Sequence, residues 1–304
     1  MKQIELTTFK THLEDVEERS PHTIRAYLSD IRLFGQWFEQ SNGKQLTPQT
    51  LTPTDLREYR GYLQATLGYK ASTIVRKLAS ISAWMQFHVG QDTVSGNPAS
   101  GIRWPKLERK LAPKGLTRQE EYALLRAADE AVQLADAKKL AASHRLAVRN
   151  RSLVILMLNT GLRVQEACDL RLKDVVINER SGSITVWRKG FAEQALPLNK
   201  PARKALAEWL KLRPETELKQ IFFGQRGDAL SPYAFRDALS GLVAAANIEH
   251  CTPHTLRHTF AHRIVKKHDI RTAAVLLGHK DINTTLIYTF PTEGELLEAV
   301  NSLE

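Results

Sequence analysis

Apolar residues recur at helical spacing along most of this 304-residue chain, and the breaks in that rhythm mark its parts. From 21 to 41, Ile24, Tyr27, Leu28, Ile31, Phe34 and Phe38 form one stripe, with Ser20 suited to the N-cap, Pro21 to the first helical position and Asn42-Gly43 to the end. A second helix is expected after Thr52-Pro53, running to about 67. A third, over 72–89, carries Ile74, Leu78, Ile81, Trp84, Met85 and His88. These helices predict a small all-α domain over 1–95.

Over 96–116 the period is lost. Three prolines and three glycines interrupt the stretch, and Arg103, Lys106, Arg109, Lys110 and Lys114 face the single acid Glu108. It reads as an extended basic linker between domains, with a solvated surface loop as the plain alternative. The remainder, 117–304, predicts a mixed domain. Helices are expected at about 117–140, 145–159, 163–171, 201–212, 231–246, 253–267 and 271–278. A strand pair, 183–188 and 192–198, turns at Lys189-Gly190. The fold class is mainly α with a small β-sheet (α+β). The stretch 131–145 reads as extra helix, a surface extension.

Composition narrows the partners. A net charge of +10 favours a polyanion, either nucleic acid or an anionic membrane surface. The longest strongly apolar run, Leu153-Val-Ile-Leu-Met-Leu158, is too short to span a bilayer. The acid-containing N-terminus reads as neither a signal nor a transit peptide. Two cysteines, Cys168 and Cys251, offer no disulfide framework and no zinc pair; they read as inert structural residues in a cytoplasmic protein.

The unusual chemistry sits in four short stretches. In Asn159-Thr-Gly-Leu-Arg163, an apolar helix stops at glycine and delivers an arginine. Lys189 lies at the hairpin tip. In Thr252-Pro-His-Thr-Leu-Arg257-His258, Thr252 and Pro253 suit a helix N-cap and first position, and His254 and Arg257 share a helix face. Leu276-Leu-Gly-His279 is followed nine residues later by Tyr288.

Taken in order, Arg163, Lys189, His254, Arg257, His279 and Tyr288 resemble the active-site pattern of the tyrosine recombinase (phage integrase) family, in its two-domain, Xer-like form. The resemblance covers most of the chain. It implies a core-binding, SAM-like DNA-binding domain over 1–95 and a catalytic domain with a C-terminal tail helix over 117–304. It also implies a site-specific recombinase that cuts and rejoins DNA through a 3′-phosphotyrosyl bond at Tyr288. The chemistry fits those residues. Attack on a phosphodiester builds negative charge on the non-bridging oxygens, which two planar guanidiniums, Arg163 and Arg257, are suited to clamp. His279 can donate a further hydrogen bond. A tyrosine hydroxyl needs a proton acceptor near neutral pH, and His254 is the natural candidate. Lys189 suits the donor to the departing 5′ oxygen. No carboxylate cluster accompanies the set, so no metal and no cofactor is expected.

Around this set, Glu166 is spaced to pair with Arg163 or another cation, or is a plain surface charge. His258 reads as a buried or hydrogen-bonding support, and His262 as a surface residue. The histidine stripe 254, 258, 262 lacks the glutamate of a zincin helix and carries Arg257 beside it, which disfavours zinc. Lys70, Arg76, Lys77, Arg103, Lys106, Arg109 and Lys110 are the DNA-binding candidates. The expected partners are a double-stranded recombination site, further copies of the chain (dimer to tetramer on DNA) and a related recombinase or accessory protein, with no membrane. The amphipathic tail 295–303 either packs on its own domain or docks into a neighbouring protomer. The competing functions are a type IB topoisomerase-like relaxing enzyme and a catalytically silent DNA-binding regulator.

Overall fold

Helix starts follow the capping residues. In the computed structural model, which describes residues 6–17, 19, 21–106, 114–188, 191–279, 281–290 and 300–303 (the side chains of 191 and 192 apart), Thr52 caps α3 (Pro53–Gly61). The Thr52 N–H donates to Asp55 Oδ2 at 2.9 Å, and the Asp55 N–H donates back to Thr52 Oγ1 at 3.3 Å. Thr117, Asn199, Ser231, Thr252 and Asp269 open later helices, each side chain accepting from the backbone N–H three residues on, with the reciprocal bond made at Thr117 and Thr252. The chain divides into two compact units, Met1–Arg109 and Lys110–Glu304.

The first unit is all helical: α1 (Thr7–Asp15), α2 (Pro21–Asn42), α3, a π-helical turn (Tyr62–Thr66) and α4 (Ala71–Gly90). The stripe on α2 is buried as the spacing requires, against Leu56, Tyr59, Ile74, Leu78, Ile81 and Trp84. Helix α1 was not anticipated. Only Phe9 and Leu13 in it are buried, too few positions to announce a period. The proposed N-cap, Ser20, lies outside the described residues.

Two expectations for this unit are corrected. Lys77 is not an exposed DNA contact. It is 5% exposed, and its ammonium donates to Asp30 Oδ1 at 2.9 Å. The Asp30 carboxylate is itself buried, pairs with Arg76 as well, and lies beside Ser80. The packing of α4 against α2 decides this, because a buried carboxylate must be paired and Lys77 and Arg76 both reach Asp30. Lys70, Arg76, Arg103 and Lys106 are exposed; Arg109 and Lys110 lie outside the described residues. The extended stretch also begins later than 96. Ala99 and Ile102 are buried in the first core, and Asn97 donates to the Ser82 carbonyl at 3.0 Å.

In the second unit α5 (Arg118–Ala137), α6 (Ala141–Thr160), α8 (Lys200–Leu212), α9 (Pro232–Ala245) and α10 (Pro253–Lys267) surround one core that includes Leu153, Leu156, Met157, Trp209, Phe222 and Leu256. Three antiparallel strands lie in the order β1 (Val175–Ile177), β2 (Gly182–Arg188) and β3 (Phe191–Pro197). The strand β1 is too short to show an alternation and escaped the sequence pattern. On β2, Ile184, Val186 and Arg188 face inward while Trp187 is exposed. The stretch 131–145 is not a continuous helix: α5 ends at Ala137, Lys139 takes a left-handed φ of 54°, and α6 begins at Ala141. Short helices α7 (Val164–Asp169), α11 (Ile270–Leu277) and α12 (Asn283–Leu286) complete the unit. Among the described residues, no helix is long and apolar enough to cross a membrane.

Replacing Asp30 by Ala strands the Lys77 ammonium in the core and should cost the first unit about 3 kcal/mol. Urea denaturation reads this as an earlier transition of that unit. Pairing Asp30→Leu with Lys77→Met should recover most of the loss.

Candidate active site

Two glycines in left-handed conformation bring the chemistry together. Helix α6 ends at Gly161 (φ 65°), and α11 ends at Gly278 (φ 64°). A Cβ on Gly161 would meet Phe260 Cδ1 at 2.3 Å, and one on Gly278 would meet Arg188 Nη1 at 2.3 Å. Both turns therefore require glycine for conformation and for space. The first presents Arg163 and the second His279.

Arg163 is the N-cap residue of α7. Its backbone N–H donates to Glu166 Oε2 at 2.9 Å and its Nη1 to Oε1 at 2.7 Å. The side chain remains 42% exposed, so Arg163 is only partly covered. Glu166 is thus largely enclosed and paired with Arg163, and is not a plain surface charge. Hydrogen bonds and ion pairs with Arg163 and Arg188 outweigh its burial and hold its pKa below the usual carboxylate range.

Arg188 was missed in the sequence. Its Nε and Nη2 each donate to Glu166 at 3.3 Å, while Nη1 donates to Gln194 Oε1 at 2.5 Å and to the Leu276 carbonyl at 3.0 Å. Gln194 Nε2 donates to the Val275 carbonyl at 2.6 Å. These bonds cap the C-terminal end of α11, where orphan carbonyls and the helix dipole favour cations. The inward parity of Ile184, Val186 and Arg188 on β2 was the available signal. The neighbouring Lys189 lies outside the described residues.

Arg257 is buried on α10. It donates to the Gly161 carbonyl at 2.6 Å, to the Leu277 carbonyl at 2.8 Å and to His279 Nε2 at 3.1 Å. One guanidinium thereby ties the turn before Arg163 to the turn before His279. Burial first, then Arg163, lowers its pKa to about 10, so it is still a cation at neutral pH. Because Nε2 of His279 accepts from Arg257, its Nδ1 carries the proton and donates to Thr285 Oγ1 at 2.7 Å. Burial and three nearby arginines push His279 down to about 4. The expectation that His279 donates to phosphate meets a constraint here: in this arrangement both its nitrogens are already engaged.

Tyr288 is 5% exposed, in a small cluster with Phe260, Ala261 and Leu277. Its hydroxyl lies 2.8 Å from His258 Nδ1, so the bonded partner is His258 and not the expected His254. The ring of His262 meets the Tyr288 ring edge-on at 5.2 Å, which also corrects the surface reading of His262. His254 stays exposed, with its pKa lowered by partial burial and then by Arg257, Arg236 and Arg163. Burial raises the Tyr288 pKa, against the opposing pull of Arg257 and Arg163. The second unit thus gathers Arg163, Glu166, Arg188, Arg257, His258, His279 and Tyr288. Cys168 and Cys251 are buried, with thiol pKa values pushed up to about 12, as inert residues require. Among the described residues no group of His, Cys, Asp and Glu is arranged to hold a metal ion.

Comparison with known proteins decides the family. The phage integrase family matches residues 125–295, and the phage integrase N-terminal SAM-like domain matches 6–92. The chain belongs to the phage integrase family, the tyrosine recombinases. Tyrosine recombinase XerC of Pelobacter propionicus is 32% identical over 301 residues, covering 97% of this chain and 93% of that protein. Tyrosine recombinase XerD of Oceanobacillus iheyensis is 30% identical, covering 93% and 92%. Among solved structures, XerH bound to a palindromic difH substrate in a post-cleavage complex superposes with a TM-score of 0.74, at 23% identity over 96% of this chain and 84% of that one. This recombinase therefore shares their fold and their reaction, site-specific strand exchange through a tyrosine.

Folding of this recombinase depends on pH through its imidazoles. His258 and His279 both fold with pKa values of about 4, below the ordinary 6.5. The unfolded chain then binds more protons between those values, so stability is full above pH 6.5 and falls as pH drops toward 4. The thermal midpoint of the second unit should drop across that window, and more shallowly in a His258→Asn, His279→Asn double variant.

Proposed function

We propose that Tyr288 is the nucleophile of this recombinase, and that Arg163, Arg257 and His279 form the pocket for the scissile phosphate. One observation carries the reading. The buried Arg257 binds the Gly161 turn and His279 at once, and both it and Arg163 act electrostatically on Tyr288. A phosphate entering this cationic field brings charge that the fixed guanidiniums neutralise, most strongly in the transition state. The open side of Arg163 receives one non-bridging oxygen. Arg257 reaches the other, and His279 contributes once phosphate replaces it as partner of the Arg257 guanidinium. His254, exposed at the start of α10, contacts the phosphate beside Arg257. Lys189, next to the fixed Arg188, protonates the departing 5′ oxygen. Glu166 and Arg188 hold Arg163 in place.

The DNA partner is a duplex recombination site, engaged by both units, with Lys70, Arg76, Arg103, Lys106, Arg109 and Lys110 reaching its phosphates. Strand exchange requires two sites brought together by further copies of the chain, up to a tetramer, with the 295–303 tail joining neighbours. The role in the cell is chromosome-dimer resolution, cointegrate resolution or mobile-element integration, carried out in the cytoplasm alone or with a related recombinase.

Tyr288→Phe should abolish the covalent protein–DNA adduct on a nicked duplex carrying the footprinted site while leaving specific binding within about twofold, since a hydroxyl that bonds His258 before attack adds little to DNA affinity. Denaturing gels and mobility shifts read the two quantities. An adduct surviving in that variant would sink the assignment. A chelator should leave wild-type cleavage unchanged.

A further inference from the structure

The established reaction needs a base for the tyrosine, and the exposed His254 is not the group that touches it. We propose that His258 takes the proton of Tyr288 when the tyrosine attacks DNA, and returns it when the strand is rejoined. The proposal rests on the reading of Tyr288 as nucleophile. The Tyr288 hydroxyl and His258 Nδ1 are 2.8 Å apart, within the reach that proton transfer requires. The two rings lie 5.5 Å apart, and His262 closes over the tyrosine from the next turn of α10, so the hydroxyl meets an imidazole in a largely water-excluded setting.

His258 enters the step with a free lone pair, and the burial and charges that keep it neutral also weaken it as a base until phosphate charge arrives. Burial, His254, His262 and Arg257 all disfavour its charged form, so the ring is neutral at physiological pH with a lone pair available. A phenol bonded to a neutral imidazole donates, which places the lone pair on Nδ1. In attack the Oη–H bond breaks and its proton passes to Nδ1. The freed Oη electron pair forms the bond to phosphorus, the P–O5′ bond breaks, and the 5′ oxygen takes its electron pair and a proton from Lys189. In the reverse step a 5′ hydroxyl attacks phosphorus, gives its proton to Lys189, and the departing Tyr288 oxygen recovers its proton from His258. Arriving phosphate charge favours the imidazolium that forms, because it offsets the repulsion of Arg257.

The test uses the full chain on a 5′-labelled nicked duplex carrying the footprinted site, in single-turnover cleavage. His258→Asn keeps an acceptor near Nδ1 but cannot take a proton. Cleavage at pH 7 should fall about 100-fold or more with site binding retained. The rate in the variant should then climb about tenfold per pH unit between 7 and 9 as free tyrosinate accumulates, while the wild type stays nearly flat. A merely structural role would lower the variant's rate by the same factor at every pH, leaving its profile parallel to that of the wild type, and would overturn the proposal. Cleavage equal to or faster than wild type would overturn it too, by showing that His258 only stores the tyrosine. Independently of that variant's folding, Nδ1 of one histidine in the ¹⁵N-labelled wild type should shift on Tyr288→Phe. An unchanged spectrum would refute the bond on which the proposal stands. Loss of the adduct in Tyr288→Phe is read separately, so failure of the nucleophile assignment is distinguishable from failure of the base.

Discussion

A single carboxylate, Glu166, holds two guanidinium groups, and the catalytic unit is arranged around that shared interaction. Arg163 reaches it from its own helical turn, and Arg188 from the sheet. Without Glu166 the two cations would repel each other across a poorly solvated space. With it, one is buried as an anchor and the other is left partly open. The imbalance matters: three arginines (Arg163, Arg188 and Arg257) face one acid, which leaves two positive charges without a carboxylate partner among these four groups.

Burial first, and nearby arginines and imidazoles after it, set the protonation of the histidines. In a cationic, half-buried setting an imidazolium is penalised twice, by lost hydration and by like charge. His258 and His279 are therefore neutral, each with one nitrogen protonated and one accepting or free to accept. Neutral histidines in a positive site are bases in waiting, and anionic DNA changes the balance that keeps them neutral.

The first unit solves a related problem with a different result. Asp30, Lys77 and Arg76 also place charge in a protein interior, but there the carboxylate is enclosed and the lysine with it. One positive charge is left over there, and it lies on Arg76, whose side chain is exposed and not enclosed with the other two. The comparison separates a buried ion pair that stabilises from a buried cation set that waits for an anion.

Much of this was legible in the sequence for a physical reason. Helical periodicity, N-caps and glycine C-caps are local, so the stripe on α2, the start of α10 and the turns before Arg163 and His279 could be placed from neighbours within a few residues. The motif set likewise identified the family. What the sequence left open depended on contacts between distant residues. Arg188 and Gln194 find α11 more than eighty positions away, and β1 is defined only by its pairing with β2. Lys77 is buried because Asp30 lies opposite it, forty-seven positions back. The choice between His254 and His258 as partner of Tyr288 could not be made from spacing, since both lie on one helix face. Only packing Tyr288 against the middle of α10 decided it. The sequence determined which chemical groups are present and how the local chain turns; the tertiary structure decided which of them share an interior, and so which are charged, which are neutral and which touch.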